Sequence, residues 1–368
     1  MDDERYMRLA LELAEKGLGF VNPNPLVGAV IVKDGALIGR GYHQKRGLPH
    51  AERNAIASCA VSTAGATLYV TLEPCCHYGK TPPCTEAIIA AGITKVVCGV
   101  RDPNPLVAGK GIEQLRRQGI TVVEDVLKEE CIRLNEVFFH YIKTETPYVV
   151  MKYAMSMDGK TAAFTGKSQW ITGEAARRKV HQDRHRYMGI MVGVGTVLAD
   201  DPLLTCRIEN GKNPLRIICD TNLRTPLDAN IVKTAAKIPT LIATACNDEA
   251  KQRPYLERCC DIITLPQDGG HIDLRALMVE LGRREIDSVL CEGGGTLNWS
   301  ALLSGVVNKA QAYIAPKLLG GTGAKTPVMG RGVESPDQAF FLANTRIISL
   351  DQDILIEGEV IYNIHRNN

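Results

Sequence analysis

At 368 residues, with 43 Lys and Arg against 41 Asp and Glu, the chain is longer than one average domain and nearly neutral, so two domains are expected. It has no basic block or arginine-rich arm, which speaks against an extended nucleic-acid interface, and no apolar run of membrane-spanning length. The twelve cysteines are scattered, several inside apolar runs such as Val96-Val97-Cys98, and Met1-Asp2-Asp3-Glu4 does not read as an export signal; a reducing, cytoplasmic setting and a small-molecule partner are expected.

Tyr6, Leu9, Ala10, Leu13 and Ala14 recur at helical spacing, and Gly17 and Gly19 stop the pattern. Asn22-Pro23-Asn24-Pro25 is a rigid loop, and Val27 to Tyr42 reads as a β-hairpin around Asp34-Gly35, with His43 at its end. The stretch 50–60 favours helix, placing His50 near its start and Glu52 on its first turn. A strand from Thr67 to Thr71 leads into Glu73-Pro74-Cys75, and Cys84 opens another helix. A strand over 95–100, a helix over 112–118, a strand over 121–123 and one amphipathic helix over 127–142 complete an alternation that predicts a three-layer α/β domain. The polar Thr144-Glu145-Thr146-Pro147 marks a boundary, giving domains 1–145 and 146–368.

The second half is α/β as well. After the strand at Tyr148 to Met151 come a charged helix from Glu174 to Tyr187 and strands near 215–220, 240–243, 262–265, 288–291 and 310–314, with a final hairpin over 346–362. His181 and His185 on the charged helix read as solvent-facing. Gly293-Gly294-Gly295 follows a strand and precedes a helix-like stretch, so its backbone N–H groups could cradle a pyrophosphate, and Gly193-Val194-Gly195 could approach the same ligand. Asp220 downstream suggests a Rossmann ribose contact. However, Leu198 stands where the third small residue of that fingerprint belongs, so a different nucleotide fold is preferred.

The chemistry concentrates in the first quarter. His50, Cys75 and Cys84 supply one imidazole and two thiolates, the set that Zn²⁺ takes when its fourth position is left open for catalysis. Glu52, two residues past His50, is placed as general acid/base of a hydrolytic nucleobase deamination. The cysteines are separated by eight residues instead of the usual two. A structural zinc with Cys76 or His77 as fourth ligand is the alternative, and it leaves Glu52 without a task.

Over nearly its whole length the chain resembles the bifunctional riboflavin-biosynthesis deaminase/reductase family. The resemblance is carried by Asn22 to Gly28, His50-Ala51-Glu52, Glu73 to Cys84, Arg101 to Pro105, Ser156 to Lys160, Ser168-Gln169-Trp170-Ile171-Thr172-Gly173, Gly195 to Pro202 and Glu292 to Gly295. That family uses the long cysteine spacer. The resemblance implies a cytidine-deaminase-like first domain holding one Zn²⁺, a dihydrofolate-reductase-like second domain using NADPH, and a homodimer. It also implies substrate contacts at Asn24, His43, Lys80, Asp102 and Asn104 in the first half and at Ser168, Arg184, Leu204, Arg207 and Glu292 in the second, the arginines facing a phosphate. Ala154, Trp170, Thr196, Asp200, Thr221 and Gly293 to Gly295 are the implied NADPH contacts, with Lys152 and Asp200 as helpers in proton delivery. Two rival readings are a cytidine or RNA-adenosine deaminase with an accessory nucleotide-binding domain, and a zinc-stabilised binding module.

Overall fold

The computed structural model describes residues 2–79, 82–105 and 107–362 and falls into two compact units, Met1–Glu145 and Thr146–Asn368. Lys80 lies outside the described residues. None of the described helices is long and apolar enough to cross a membrane.

The first unit runs α1 (Asp2–Glu15), β1 (Gly28–Lys33), β2 (Ala36–Tyr42), α2 (Ala51–Ala57), β3 (Thr67–Val70), α3 (Cys84–Ala90), β4 (Lys95–Cys98), α4 (Lys110–Arg117), β5 (Thr121–Val123), α5 (Lys128–Leu134) and α6 (Glu136–Thr144). Its strands form one sheet in the order β2-β1-β3-β4-β5. β1 pairs antiparallel with both neighbours, and β3, β4 and β5 run parallel. Strand alternation divides the core between the two faces. Ala29 and Ile31 pack with Ala51 and Ala55 of α2, Ile88 of α3 and Leu115 of α4. Val30 and Val32 turn the other way, onto Met7 and Ala10 of α1, Cys131 of α5 and Phe138 of α6. The result is three layers.

Gly28 opens β1 where α1 crosses it, and a Cβ there would lie 1.9 Å from the Ala10 carbonyl oxygen. Gly28→Ala therefore lowers the thermal midpoint of the first unit through an overpacking cost of about 1–3 kcal/mol. Calorimetry reads this directly, and an unchanged midpoint contradicts the packing described.

The helix expected over 127–142 is instead two, α5 and α6, broken at Asn135 (φ −105°, ψ 22°). The break has a tertiary cause. The buried Asn135 amide accepts from Leu26 N at 2.8 Å and donates to Leu26 O at 2.9 Å. Both hydrogen bonds fix the loop that carries Asn24, so helical continuity yields to a clamp 109 residues away in sequence.

The second unit runs β6 (Tyr148–Ser156), α7 (Glu174–Arg186), β7 (Gly189–Gly193), α8 (Val194–Asp200), β8 (Leu215–Cys219), α9 (Asn230–Lys233), β9 (Thr240–Thr244), α10 (Glu249–Leu256), β10 (Asp261–Thr264), β11 (Gln267–Asp268), β12 (His271–Ile272), α11 (Leu274–Arg283), β13 (Ser288–Cys291), α12 (Gly295–Leu303), β14 (Lys309–Ala315), β15 (Phe341–Leu350) and β16 (Asp353–Ile361). The main sheet has the order β10-β9-β8-β7-β13-β6-β14-β16-β15. It is parallel up to β14 and antiparallel through the final hairpin. Met191, Ile217 and Val289 face α11 and α12, and Ile190, Val192 and Ile218 face α8, α9 and α10. β7 and β13 are neighbours, so α8 and α12 start side by side at the carboxyl ends of adjacent parallel strands, where ligands of open α/β sheets bind.

Candidate active sites

In the first unit, His50 is the N-cap residue of α2 in extended conformation, and its ring is not used to cap the helix. Cys75 follows β3, and Cys84 is the first residue of α3. Hydrogen bonds from Cys84 N (3.0 Å) and Thr85 N (3.2 Å) to the Cys75 carbonyl bring the two cysteines together. His50 Nδ1 lies 3.5 Å from Cys75 Sγ and 3.4 Å from Cys84 Sγ, and all three ligand atoms lie within 4.8 Å of one another. Two ligand atoms on one tetrahedral zinc are about 3.6 Å apart, given the usual Zn–N and Zn–S lengths. The donor set therefore fits Zn²⁺. It is the one such cluster found among the described residues. Cys76 and His77 are outside it.

The electrostatics suit the same reading. The hydrogen bond with Cys84 brings the Cys75 thiol down to about 4, and the same contact pushes Cys84 up. Glu52 is 3% exposed, and burial pushes its carboxyl up to about 6. His43 is buried with Nδ1 3.2 Å from the Pro49 carbonyl, so Nδ1 donates and Nε2 accepts from the Asn24 amide at 3.2 Å. Burial lowers its basicity, and its ring stands edge-on to His50 at 5.3 Å between centroids. Asp102 is buried, its carboxyl pushed up to about 6 by burial, and it accepts from Asn104 N at 2.8 Å.

In the second unit the structure brings together Lys152, Arg184 and Glu292. Arg184 grips Glu292 with Nε–Oε1 at 2.7 Å and Nη2–Oε2 at 3.0 Å, while Nη1 donates to the Thr205 carbonyl at 3.0 Å. Lys152 Nζ is 3.6 Å from Glu292 and sits 5.6 Å from the ring centroid of the buried Tyr313. Burial alone would raise the Glu292 carboxyl, but Arg184 and Lys152 overcome it and hold it at about 2. Arg184 is thus neither an ordinary charged helix face nor an arginine with an idle fork. Its helix instead turns this face inward, and Asp183 beside it accepts from Lys179 at 2.5 Å and from Tyr313 at 3.3 Å.

The other expected positions divide. Ser168 is half-buried, and Trp170 is exposed with the Arg177 guanidinium 4.7 Å over its ring. Ala154 packs from β6 against the Tyr313 cluster. Thr196 lies on the first turn of α8, 3.9 Å from where a Cβ on Gly294 would be, and that contact and the open face of Gly195 leave room for a ligand backbone. Gly293 and Gly295 have no such room. Side groups on them would meet Leu297 at 2.9 Å and Met329 at 2.4 Å, so packing alone requires glycine at both positions, whatever their N–H groups face. Thr221 accepts through its carbonyl from Ala245 N and the Thr244 hydroxyl. The Leu204 side chain lies in the core with Ile231 and Val232 of α9, while Arg207 and Asp200, the last residue of α8, are exposed. Asp220 turns its carboxylate into Thr225, accepting from N and Oγ1 at 2.7 Å each, which makes it a turn-closing group and not a ribose contact. His181 and His185 are half-buried, not solvent-facing, because the 205–212 stretch covers them. Cys206 Sγ donates to the His181 carbonyl, and His185 Nδ1 accepts from Lys212 N.

Comparison with known proteins agrees with both halves. The cytidine and deoxycytidylate deaminase zinc-binding region matches residues 1–100, and the RibD C-terminal domain matches residues 147–356. Riboflavin biosynthesis protein RibD of Actinobacillus pleuropneumoniae is 54% identical over 361 residues, 98% of this chain and 96% of that protein. The solved RibD of Acinetobacter baumannii superposes with a TM-score of 0.86 at 38% identity, covering 98% of this chain and 99% of that one. A diaminohydroxyphosphoribosylaminopyrimidine deaminase/5-amino-6-(5-phosphoribosylamino)uracil reductase from Thermotoga maritima gives 0.86 at 40% identity with the same coverage. The first unit is therefore cytidine-deaminase-like and the second dihydrofolate-reductase-like. With such identity across almost its entire length, the chain belongs to the RibD family of riboflavin-biosynthesis proteins.

Proposed function

We propose that residues 1–145 deaminate 2,5-diamino-6-ribosylamino-4(3H)-pyrimidinone 5′-phosphate and that residues 146–368 reduce its ribosyl side chain, giving 5-amino-6-(5-phosphoribitylamino)uracil. The observation that carries this reading is the convergence of His50 Nδ1, Cys75 and Cys84 beside the buried Glu52. When bound, Zn²⁺ supplies Lewis-acid activation of water and NADPH supplies hydride. His50, Cys75 and Cys84 hold the metal. Glu52 carries the two protons of the attacking water in turn, the first to the ring nitrogen as the C–O bond forms and the second to the amine as the C–N bond breaks and ammonia leaves, a task suited to a carboxyl whose burial raises its proton affinity. Asn24 meets the pyrimidine from the loop that Asn135 clamps, and the neutral His43, hydrogen-bonded to it, meets it from the end of β2. Asp102 and Asn104 meet it from the opposite loop, with Lys80 on its phosphate.

In the second unit Glu292, kept ionised by Arg184 and Lys152, accepts hydrogen bonds from the sugar hydroxyls. Lys152 is the proton donor to the ribose oxygen freed as C1′ is reduced. Ser168, Arg207 and the backbone of Leu204, whose side chain is in the core, complete the substrate contacts. Ala154, Trp170, Thr196, Thr221 and the Gly293–Gly295 turn receive NADPH, with Gly294 as the open cradle, and Asp200 borders it. We place the enzyme in the cytoplasm, a reading supported by twelve unpaired cysteines. A homodimer is supported by the edge strand β15, which leaves Phe341 and Ile347 exposed at 50% and 72%. Light scattering reads its mass.

The test adds the diamino-pyrimidine phosphate to zinc-loaded protein and follows ammonia and NADPH absorbance together. Ammonia appears first and NADPH is then consumed. Removing the zinc with a chelator stops ammonia release but leaves NADPH oxidation on the already deaminated pyrimidine intact. Ammonia without NADPH consumption leaves only the first assignment standing. Turnover of cytidine or RNA with none of this substrate would replace both.

A further inference from the structure

Glu73 has no part in the roles assigned above, yet its carboxylate is 3% exposed and fully engaged. Oε2 accepts from the N–H groups of Asp102 at 3.3 Å and Gly109 at 2.9 Å. Oε1 accepts from Gly111 at 3.0 Å and Ile112 at 3.2 Å. Its own N–H donates to the Val100 carbonyl at 2.9 Å. Two of these donors belong to the first turn of α4, where backbone N–H groups have no helical partner and a negative charge is favoured. The contact is close. A Cβ on Gly111 would lie 2.1 Å from the Pro74 carbonyl oxygen, so the first turn of α4 rests directly on the Glu73-Pro74 backbone.

One side chain therefore ties three segments. Glu73 leads through Pro74 into Cys75; its oxygens hold the stretch from Asp102 to Gly109 at both ends; and they fasten α4 behind it. Asn104 N, donating to Asp102 Oδ1, closes the turn inside that stretch. We propose that Glu73 is a positioning residue of the deaminase, holding the loop that carries Asp102 and Asn104 in register with the Cys75 metal loop. This rests on the assignment of Asp102 and Asn104 as substrate contacts. A group that only capped α4 would govern stability. A group that sets the spacing of two loops around one pocket governs how often that pocket is competent to bind, and apparent affinity falls in proportion to that fraction.

The test uses full-length Glu73→Gln and, as a second route to the same contact, Gly111→Ala. Gln keeps the shape of Glu73 but turns an NH₂ toward two of the four N–H groups. Zinc content, KM and kcat for ammonia release, and NADPH oxidation on the deaminated pyrimidine are measured on each. The expected result is one zinc per chain, unchanged NADPH oxidation, and a KM for the diamino-pyrimidine raised about tenfold or more with a smaller change in kcat. A wild-type KM in Glu73→Gln overturns the proposal, and so does activity that falls in step with zinc content at constant KM. If the wild-type chain releases no ammonia from this pyrimidine, the functional reading itself fails and this inference falls with it.

Discussion

Glu52→Ala keeps its zinc and loses ammonia release by several orders of magnitude. The expectation follows from where the groups sit. The metal donors are His50, Cys75 and Cys84, so occupancy does not depend on Glu52. The proton traffic does, since Glu52 is the buried carboxyl in Coulombic contact with His50 and Cys75. Losing a positioned proton-transfer group costs about 10²–10⁴-fold by itself. Here one carboxyl serves both the water and the leaving group, which puts the loss at the upper end. Glu52→Gln preserves the packing of α2 and behaves like the alanine variant if the charge is what matters. NADPH oxidation on the deaminated pyrimidine stays at the wild-type rate in both. Full deamination by either variant would remove the assignment and favour a zinc-stabilised binding module. Loss of zinc in step with activity would make Glu52 a structural support.

Much of this was legible in the chain because local patterns and the tertiary result agree. The hairpin around Asp34-Gly35, the helix that begins just after His50 and the strands of the second half follow from alternation and turn residues, and they lie close to where the structure has them. The three-layer architecture follows from that order. What did not show was whatever depends on a partner far away in sequence. The break between α5 and α6 is set by an amide that serves Leu26. Arg184 looks like one charge among several on a polar helix, and nothing nearby in the sequence says that it meets Glu292, 108 residues on. Gly293, Gly294 and Gly295 read alike, and nothing nearby in the sequence shows that close packing against Leu297 and Met329 requires glycine at the outer two. Glu73 stood in plain view before Pro74-Cys75, but its four donors come from 29 to 39 residues away.

Glu292→Gln carries the largest expected effect in the second unit, and it separates charge from shape. Arg184, Lys152 and Glu292 are only 15%, 13% and 11% exposed at their side chains, so removing the anion leaves two largely buried cations without the carboxylate that both contact. Breaking such a pair from one side costs about 3–5 kcal/mol, and the thermal midpoint of the second unit drops accordingly. Reduction is lost while ammonia release persists. The pH dependence is distinctive. The Glu292 carboxyl is depressed from an ordinary 4.5 to about 2 in the folded chain, so its contribution is complete above about pH 5 and disappears as pH falls through 2. At about 1.4 kcal/mol per pH unit, that window is worth about 3 kcal/mol. The gap in midpoint between wild type and Glu292→Gln should therefore be wide at pH 6 and narrow steadily toward pH 3. A gap that is the same at both values would mean that the variant fails through lost hydrogen-bond shape and not through lost charge. The ion pair would then not be what holds Lys152 and Arg184 at the substrate.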